Sequence, residues 1–252
     1  MINSYWDKYW NGLLNELKVS EDEILWFNQK MARRFNQFPE IYIFSLKDDL
    51  FERDVLEIGC GLGQDSVNIA NDGARLTTID LSQPACYLTG RHLAAKGLSA
   101  SVMNLNAEDL PFNNESFDIV YSFGVFMHSQ NPQAIIDESY RVLRHGGMLK
   151  AMIYNRISLS GLVFYYLAAK KKHTPFVSLR TAWDMSESPR TKAYTEKELR
   201  RMFGSFNRVK ITQSFMMEQE LVRTSPMLNV LWGDFKHIPK QLGGCHLIEA
   251  YK

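Results

Sequence analysis

Between residues 54 and 155 the chain alternates short apolar runs with segments of helical periodicity. "DVLEIG" (54–59) reads as a strand and "GQDSVNIANDG" (63–73) as a helix stopped at Gly73. "RLTTIDLS" (75–82) predicts a second strand, and "QPACYLTGRHLAAKG" (83–97) a helix with Pro84 in its first turn and Gly97 as its stop. "ASVMNLNA" (100–107) predicts a third strand, followed by the loop "EDLPFNNES" (108–116) and a fourth strand, "FDIVYSFG" (117–124). "NPQAIIDESYRVLRHGG" (131–147) predicts a helix closing on two glycines, and "MLKAMIYN" (148–155) a fifth strand. Apolar strands alternating with helices imply βαβ units and a parallel sheet buried on both faces. Right-handed crossovers then leave a doubly wound α/β sandwich as the expected architecture.

After Asn155 the rhythm breaks. An apolar run, Ile157 to Ala169, precedes the basic cluster "KKKH" (170–173) and the polar loop "DMSESPR" (184–190). "TEKELRRMFG" (195–204) predicts a helix with Thr195 as N-cap and Glu198 in the capping-box position. "FNRVKITQSF" (206–215) and "GCHLIEAYK" (244–252) read as late strands separated by a long, irregular insert. The expected organisation is an N-terminal helical lid over residues 1–48, a ligand-binding core over 49–155, a cap or substrate insert over 156–194, and a C-terminal part, 195–252, that completes the sheet.

Composition narrows the class. A 45% hydrophobic and 12% aromatic chain can build a substantial core. The longest apolar run falls short of the roughly 18 residues that span a bilayer. The N-terminus, "MINSYWDKYWNGLLNELK", lacks a continuous apolar stretch, so no signal peptide is expected. Cys60, Cys86 and Cys245 are too few and too scattered for a disulfide framework or a zinc site. The expectation is a soluble cytoplasmic protein without a metal, its oligomeric state open.

The net charge of +1 hides an asymmetry: residues 1–150 hold 13 Lys/Arg and 20 Asp/Glu, and residues 151–252 hold 16 and 8. A basic half can attract an anionic substrate, nucleic acid or lipid headgroups. The near-zero sum argues against a dedicated nucleic-acid binder, whose affinity rests on phosphate contacts.

The candidate chemistry starts at the glycine loop. A phosphate-binding loop needs a Lys after its last glycine, and Gln64-Asp65-Ser66 supplies none. Gly59, Gly61 and Gly63 run G-x-G-x-G, with Ser66 where a dinucleotide fingerprint has its third glycine. Glu57 before the glycines and Asp65 after them would repel a pyrophosphate at the helix N-terminus. Carboxylates suit a cationic, phosphate-free nucleoside instead, and S-adenosylmethionine is such a ligand. The glycines let backbone approach it closely. Asp80, ending the second strand in "TTIDLS" beside Leu81, stands where a carboxylate accepts ribose hydroxyls. Asn106, Ala107 and Glu108 in "NAEDLPF" follow the third strand and suit the adenine edge.

"VLEIGCGLG", "IDLS", "AEDLPFNNESFDIVYSFGV" and "YRVLRHGG" together resemble the successive motifs of class I S-adenosylmethionine-dependent methyltransferases, particularly the branch acting on small molecules and lipids. The resemblance covers roughly residues 50–155. It implies a Rossmann-like seven-stranded sheet whose last strand is antiparallel and inserted beside the fifth, with a helical cap added here. It also implies Glu57, Gly59, Gly61 and Gly63 on the methionine side, Asp80 at the ribose, Asn106 to Glu108 at the adenine, and Ser122 and Phe123 near the sulfonium. Two departures stand out. "FMHS" replaces the "LHH" of many relatives, leaving His128, and Asn106 stands where Asp is common.

Where a neutral oxygen or nitrogen acceptor requires a base to remove its proton, His128 after the fourth strand is the candidate; the alternative is a histidine that packs under the loop. "SFGVFMH" (122–128) lacks the Asn/Asp-Pro-Pro-aromatic signature that grips planar amides and nucleobase amines. Tyr5, Trp6, Tyr9 and Trp10, at near-helical spacing, suit a lid or pocket wall. Tyr154, Arg156, Arg190, Lys192 and Tyr194 flank the insert and could hold an acceptor's carboxylate or phosphate. "RISLSGLVFYYLAAKKKH" (156–173) reads as a cap over the site, with peripheral membrane contact as the lesser alternative. The expected function is methyl transfer from S-adenosylmethionine to an O, N or C atom of a small polar or anionic metabolite or natural-product intermediate. A cofactor-binding protein without transfer activity and an RNA methyltransferase are the rivals.

Overall fold

The computed structural model describes residues 2–37, 39–46, 49–173, 177–186, 188–215 and 239–252. Three helices, α1 (Ile2–Lys18), α2 (Glu23–Gln37) and α3 (Pro39–Leu46), precede the alternating part. That part runs β1 (Asp54–Ile58), α4 (Gln64–Asn71), β2 (Arg75–Asp80), α5 (Gln83–Ala95), β3 (Ser101–Asn104), β4 (Phe117–Phe123), α6 (Pro132–Val142) and β5 (Leu143–Tyr154). There follow α7 (Leu159–Lys172), α8 (Leu179–Asp184), α9 (Glu196–Met202), β6 (Arg208–Ser214) and β7 (Cys245–Tyr251). The irregular insert expected between the late strands falls mostly on residues 216–238, outside the described residues.

One seven-stranded sheet runs in the order β3-β2-β1-β4-β5-β7-β6. β1 to β5 pair in parallel, and β7 lies antiparallel between β5 and β6. This is the Rossmann-like arrangement the resemblance implies. Adjacent residues of one strand enter different cores. Leu56 and Val120 join the large cluster with Leu149, Ile153 and Ile248, while Val55 and Ile119 join a second with Phe44, Ile69 and Tyr121. Successive side chains of a strand point to opposite faces, so both faces of the sheet are covered. Strand order reverses between β1 and β4, which opens a crevice at their carboxyl ends.

The sixth helix ends earlier than its periodicity suggests. "LRHGG" belongs to β5: Leu143 pairs with Phe117, the register then shifts, and Met148 pairs with Ile119. Gly146 takes a left-handed φ of 78°. A Cβ on Gly147 would stand 2.8 Å from the Asp118 carbonyl, so two glycines form a bulge in the strand where they looked like a helix stop. The helix predicted over 195–204 does form, at Glu196–Met202, with the Thr195–Glu198 capping box present.

α1 and α2 pack on α5 and the glycine loop through Leu17, Trp26, Phe27, Leu62 and Leu88, with Trp10 and Leu13 beside them. α7 and α8 share a small core of Ala168, Val177 and Ala182, while Trp183 inserts into the main core. Among the described residues no helix is long and apolar enough to cross a membrane. None of their His, Cys, Asp and Glu side chains group as a metal site. The three cysteines are buried thiols.

Candidate functional site

The loop after β1 is shaped by glycines that cannot be replaced without strain. Gly59 and Gly61 have φ of 84° and 54°, where side chains are disfavoured. A Cβ on Gly59 would meet Val125 Cγ2 at 2.2 Å, and one on Gly61 would meet Trp10 Cη2 at 2.8 Å. Gly63, also left-handed at φ 73°, is held by packing as well. It precedes α4, and a Cβ there would touch the Thr89 backbone of α5 at 3.0 Å.

A cavity of about 440 Å³ lies over this loop at the carboxyl ends of β1, β2 and β4. Gly59, Gly61, Asp65, Asp80, Leu81, Asn106, Ala107, Glu108 and Phe123 line it, together with His128, Trp6 and Trp10. The Asp80 carboxylate accepts from the backbone N–H of Gly61 at 3.0 Å and of Ser82 at 2.9 Å. Burial raises its pKa despite those donors. Asn106 Oδ1 accepts the Glu108 N–H at 3.0 Å, and Glu108 in turn accepts Ser129 Oγ at 2.5 Å and the Asn131 N–H at 3.1 Å. The loop after β3 is thereby tied to the turn that carries His128.

Arg34 enters the cavity from α2, a position that no local pattern marks. Its Nη2 donates to Asp65 Oδ2 at 2.6 Å, and Tyr121 donates to the same oxygen at 3.2 Å. Burial opposes the Arg34 charge, yet Asp65 leads the groups that more than offset it, and its pKa stands above the ordinary value. Asp65 Oδ1 and Arg34 Nε are both buried and have no hydrogen-bond partner among the described residues. Each partner of the pair thus keeps one buried polar atom unpaired among the described residues, and both residues line the cavity.

Glu57 does not reach the cavity among the described residues. It sits behind the loop, accepting from Ser66 Oγ and, at 2.6 Å, from Thr78 Oγ1. Burial, reinforced by Asp65, pushes its pKa up to about 8. Ser122 likewise turns inward, donating to the Ile58 carbonyl at 3.0 Å.

His128 closes a short 3-10 turn, Phe126–His128, after β4. Burial lowers its pKa to about 4, so the imidazole is neutral at pH 7. α1 lies across the loop and touches it at three points. Trp10 covers Gly61, Asp7 accepts Ser82 Oγ at 2.6 Å, and the Trp6 ring meets His128 edge to face at 5.0 Å. Tyr5 stands behind Trp6 at 5.1 Å, and Tyr9 is half exposed.

The residues flanking the insert do not gather on this cavity. Tyr154 is buried behind His128 and stacks on Trp183 at 5.2 Å. Arg156 is paired with Glu198. Tyr194 bridges backbone, donating its N–H to Tyr154 and accepting from Arg156, and burial raises its phenol to about 12. Arg190 is exposed, with a left-handed φ of 66°. Lys192 Nζ caps the carbonyls of Ser129 and Gln130 at 2.9 and 2.8 Å.

The fold is that of a class I α/β methyltransferase domain, with the cavity at the carboxyl ends of its parallel strands. Residues 56–151 match the family model for the methyltransferase domain. The chain is 32% identical over 132 residues to a ubiquinone biosynthesis O-methyltransferase of Glaesserella parasuis, covering 50% of this chain and 56% of that one. It is 33% identical over 108 residues to a probable S-adenosylmethionine-dependent methyltransferase of Mycolicibacterium smegmatis, covering 43% and 40%. It thus spans about half the length of these curated relatives. The crystal structure of magnesium protoporphyrin IX methyltransferase from Synechocystis, with bound S-adenosylhomocysteine, superimposes with a TM-score of 0.61 at 15% identity, covering 100% of this chain and 98% of that one. At that identity the likeness is one of fold.

Proposed function

We propose that this chain methylates an O, N or C atom of a small, polar biosynthetic intermediate in the cytoplasm, using S-adenosylmethionine. The observation that carries the reading is the Arg34–Asp65 pair with its unpartnered Nε and Oδ1, set in the same cavity as Asp80 and the Asn106–Glu108 loop. Asp65 and Arg34 would hold the methionine end, Asp80 the ribose, and Asn106, Ala107 and Glu108 the adenine. When bound, the cofactor supplies an electrophilic methyl for in-line displacement, a reaction that depends on positioning.

The chain's own part in the reaction is to orient, exclude water and accept a proton. α1 covers the glycine loop through Trp10 and brings Trp6 to His128. His128, which lines the cavity and is neutral at pH 7, would take a proton from an acceptor hydroxyl or amine. Arg156 is occupied by Glu198, and neither it nor Arg190 lines the cavity. The acceptor is therefore better read as polar than as strongly anionic.

Calorimetry with S-adenosylhomocysteine and NAD tests the cofactor, and release of S-adenosylhomocysteine across a panel of phenols, amines and hydroxy acids tests transfer. Binding of S-adenosylhomocysteine and not NAD is expected. Preference for NAD would overturn the proposal, and binding without release for any acceptor would favour a sensor.

A further inference from the structure

The segment just before α9 grips the His128 turn from two sides. The Lys192 N–H donates to the Met127 carbonyl at 2.9 Å, while its ammonium holds the carbonyls of Ser129 and Gln130. Ser188 and Thr191, both buried, approach the imidazole itself. His128 Nδ1 lies 2.8 Å from Ser188 Oγ, and Ser188 Oγ lies 3.0 Å from Thr191 Oγ1. Thr191 Oγ1 is 2.8 Å from the Ser188 carbonyl, which can only accept.

Counting protons along this chain leaves one arrangement that satisfies these three contacts. A hydroxyl has a single hydrogen to donate. If Thr191 gives its hydrogen to the carbonyl, the Ser188–Thr191 contact needs the Ser188 hydrogen. Ser188 Oγ is then an acceptor toward His128, and Nδ1 must carry hydrogen. Were Ser188 to donate to Nδ1 instead, one oxygen contact in the chain would set lone pair against lone pair. The chain therefore runs one way, from imidazole through two hydroxyls to a carbonyl.

We propose that Ser188 and Thr191 are positioning residues for His128, holding the neutral imidazole as the Nδ1–H tautomer and making Nε2 its proton-accepting nitrogen. The hydrogen bond at one ring nitrogen sets the chemistry of the other. This rests on the reading of His128 as the base of a methyltransferase. It adds that the cap, not the core, chooses which nitrogen does the work, so a base on β4's turn depends on residues about sixty positions away.

The test is long-range proton–nitrogen correlation spectroscopy on protein carrying ¹⁵N-labelled histidine. The signal among the six histidines is assigned by its loss in His128→Gln. The wild type should show protonated Nδ1 and unprotonated Nε2 at neutral pH. Ser188→Ala should lose that fixed pattern, and Ser188→Thr, which restores a hydroxyl, should regain it. If Ser188→Ala does not fold, Thr191→Val is read in the same way, because it removes the far end of the chain without touching the imidazole. A wild-type Nε2–H signal, or variants that leave both nitrogen shifts unchanged, overturns the proposal. Calorimetry with S-adenosylhomocysteine on the same samples separates the two ideas: failure of the wild type to bind it defeats the methyltransferase reading while the tautomer result stands alone.

Discussion

Arg34 in α2 and Asp65 in α4, 31 positions apart in sequence, meet at 2.6 Å in the cavity wall and join the two helices. If the pair holds the methionine end of the cofactor, as proposed, its two members should differ in what they do when removed. Arg34→Met is expected to weaken S-adenosylhomocysteine binding by about tenfold or more, the scale of a lost charge-assisted hydrogen bond. It should also lower the melting temperature, because Asp65 is left buried without its cation. Adding Asp65→Asn should recover melting temperature but not affinity. Calorimetry and thermal melts check both, and an unchanged affinity in Arg34→Met would remove Arg34 from the ligand site.

Glu57 offers a prediction in pH. Its folded pKa of about 8 lies above the ordinary carboxylate value of roughly 4.3. Between those values the folded chain keeps a proton that the unfolded chain releases, so the Glu57 contribution to stability falls as pH rises through the window. Glu57→Gln stays neutral and retains an oxygen for Ser66 and Thr78. The melting temperature of the variant relative to wild type should therefore climb by several degrees between about pH 5 and pH 8, at roughly 2–4 °C per kcal/mol for a chain of this size. Comparing the two proteins cancels His92 and His128, which burial lowers to about 4 and whose effect on stability falls between there and the ordinary histidine value of roughly 6.5, inside part of the same range. Parallel curves would show that Glu57 is ionised in the folded protein throughout.

Gly59 tests how the loop is held. Gly59→Ala meets both a left-handed φ of 84° and Val125 at 2.2 Å. Strain at such a position costs on the order of 1–3 kcal/mol, before the clash is added. A lower melting temperature and weakened S-adenosylhomocysteine binding are expected. Combining it with Val125→Ala should relieve the clash and leave the strain, giving partial recovery in a double-mutant cycle. Complete recovery would mean that the backbone conformation contributes nothing.

Much of the frame was legible locally. Apolar runs of strand length, glycines and prolines at their borders, and Asp80 at the end of β2 announce themselves within a few residues. The helix stop read at Gly146 and Gly147 was misleading because a glycine pair looks the same before a turn and inside a bulge; pairing of Leu143 with Phe117 decides between them. Arg156 and Arg190 invited an anion-binding role by their charge alone. Glu198 satisfies one, and the other faces water.

By itself the sequence determined the alternating sheet order up to β5, the glycine loop and a preference for a phosphate-free nucleoside, since each rests on neighbours along the chain. Tertiary structure alone decided that Arg34 pairs with Asp65, that Glu57 stands behind the loop, and that Ser188 meets the His128 ring. Those roles depend on which partner neutralises, buries or orients a group, and the partners lie 21 to 60 residues away. Periodicity along the chain carries no information about such meetings, because they are made only when the sheet closes and the flanking helices pack onto it.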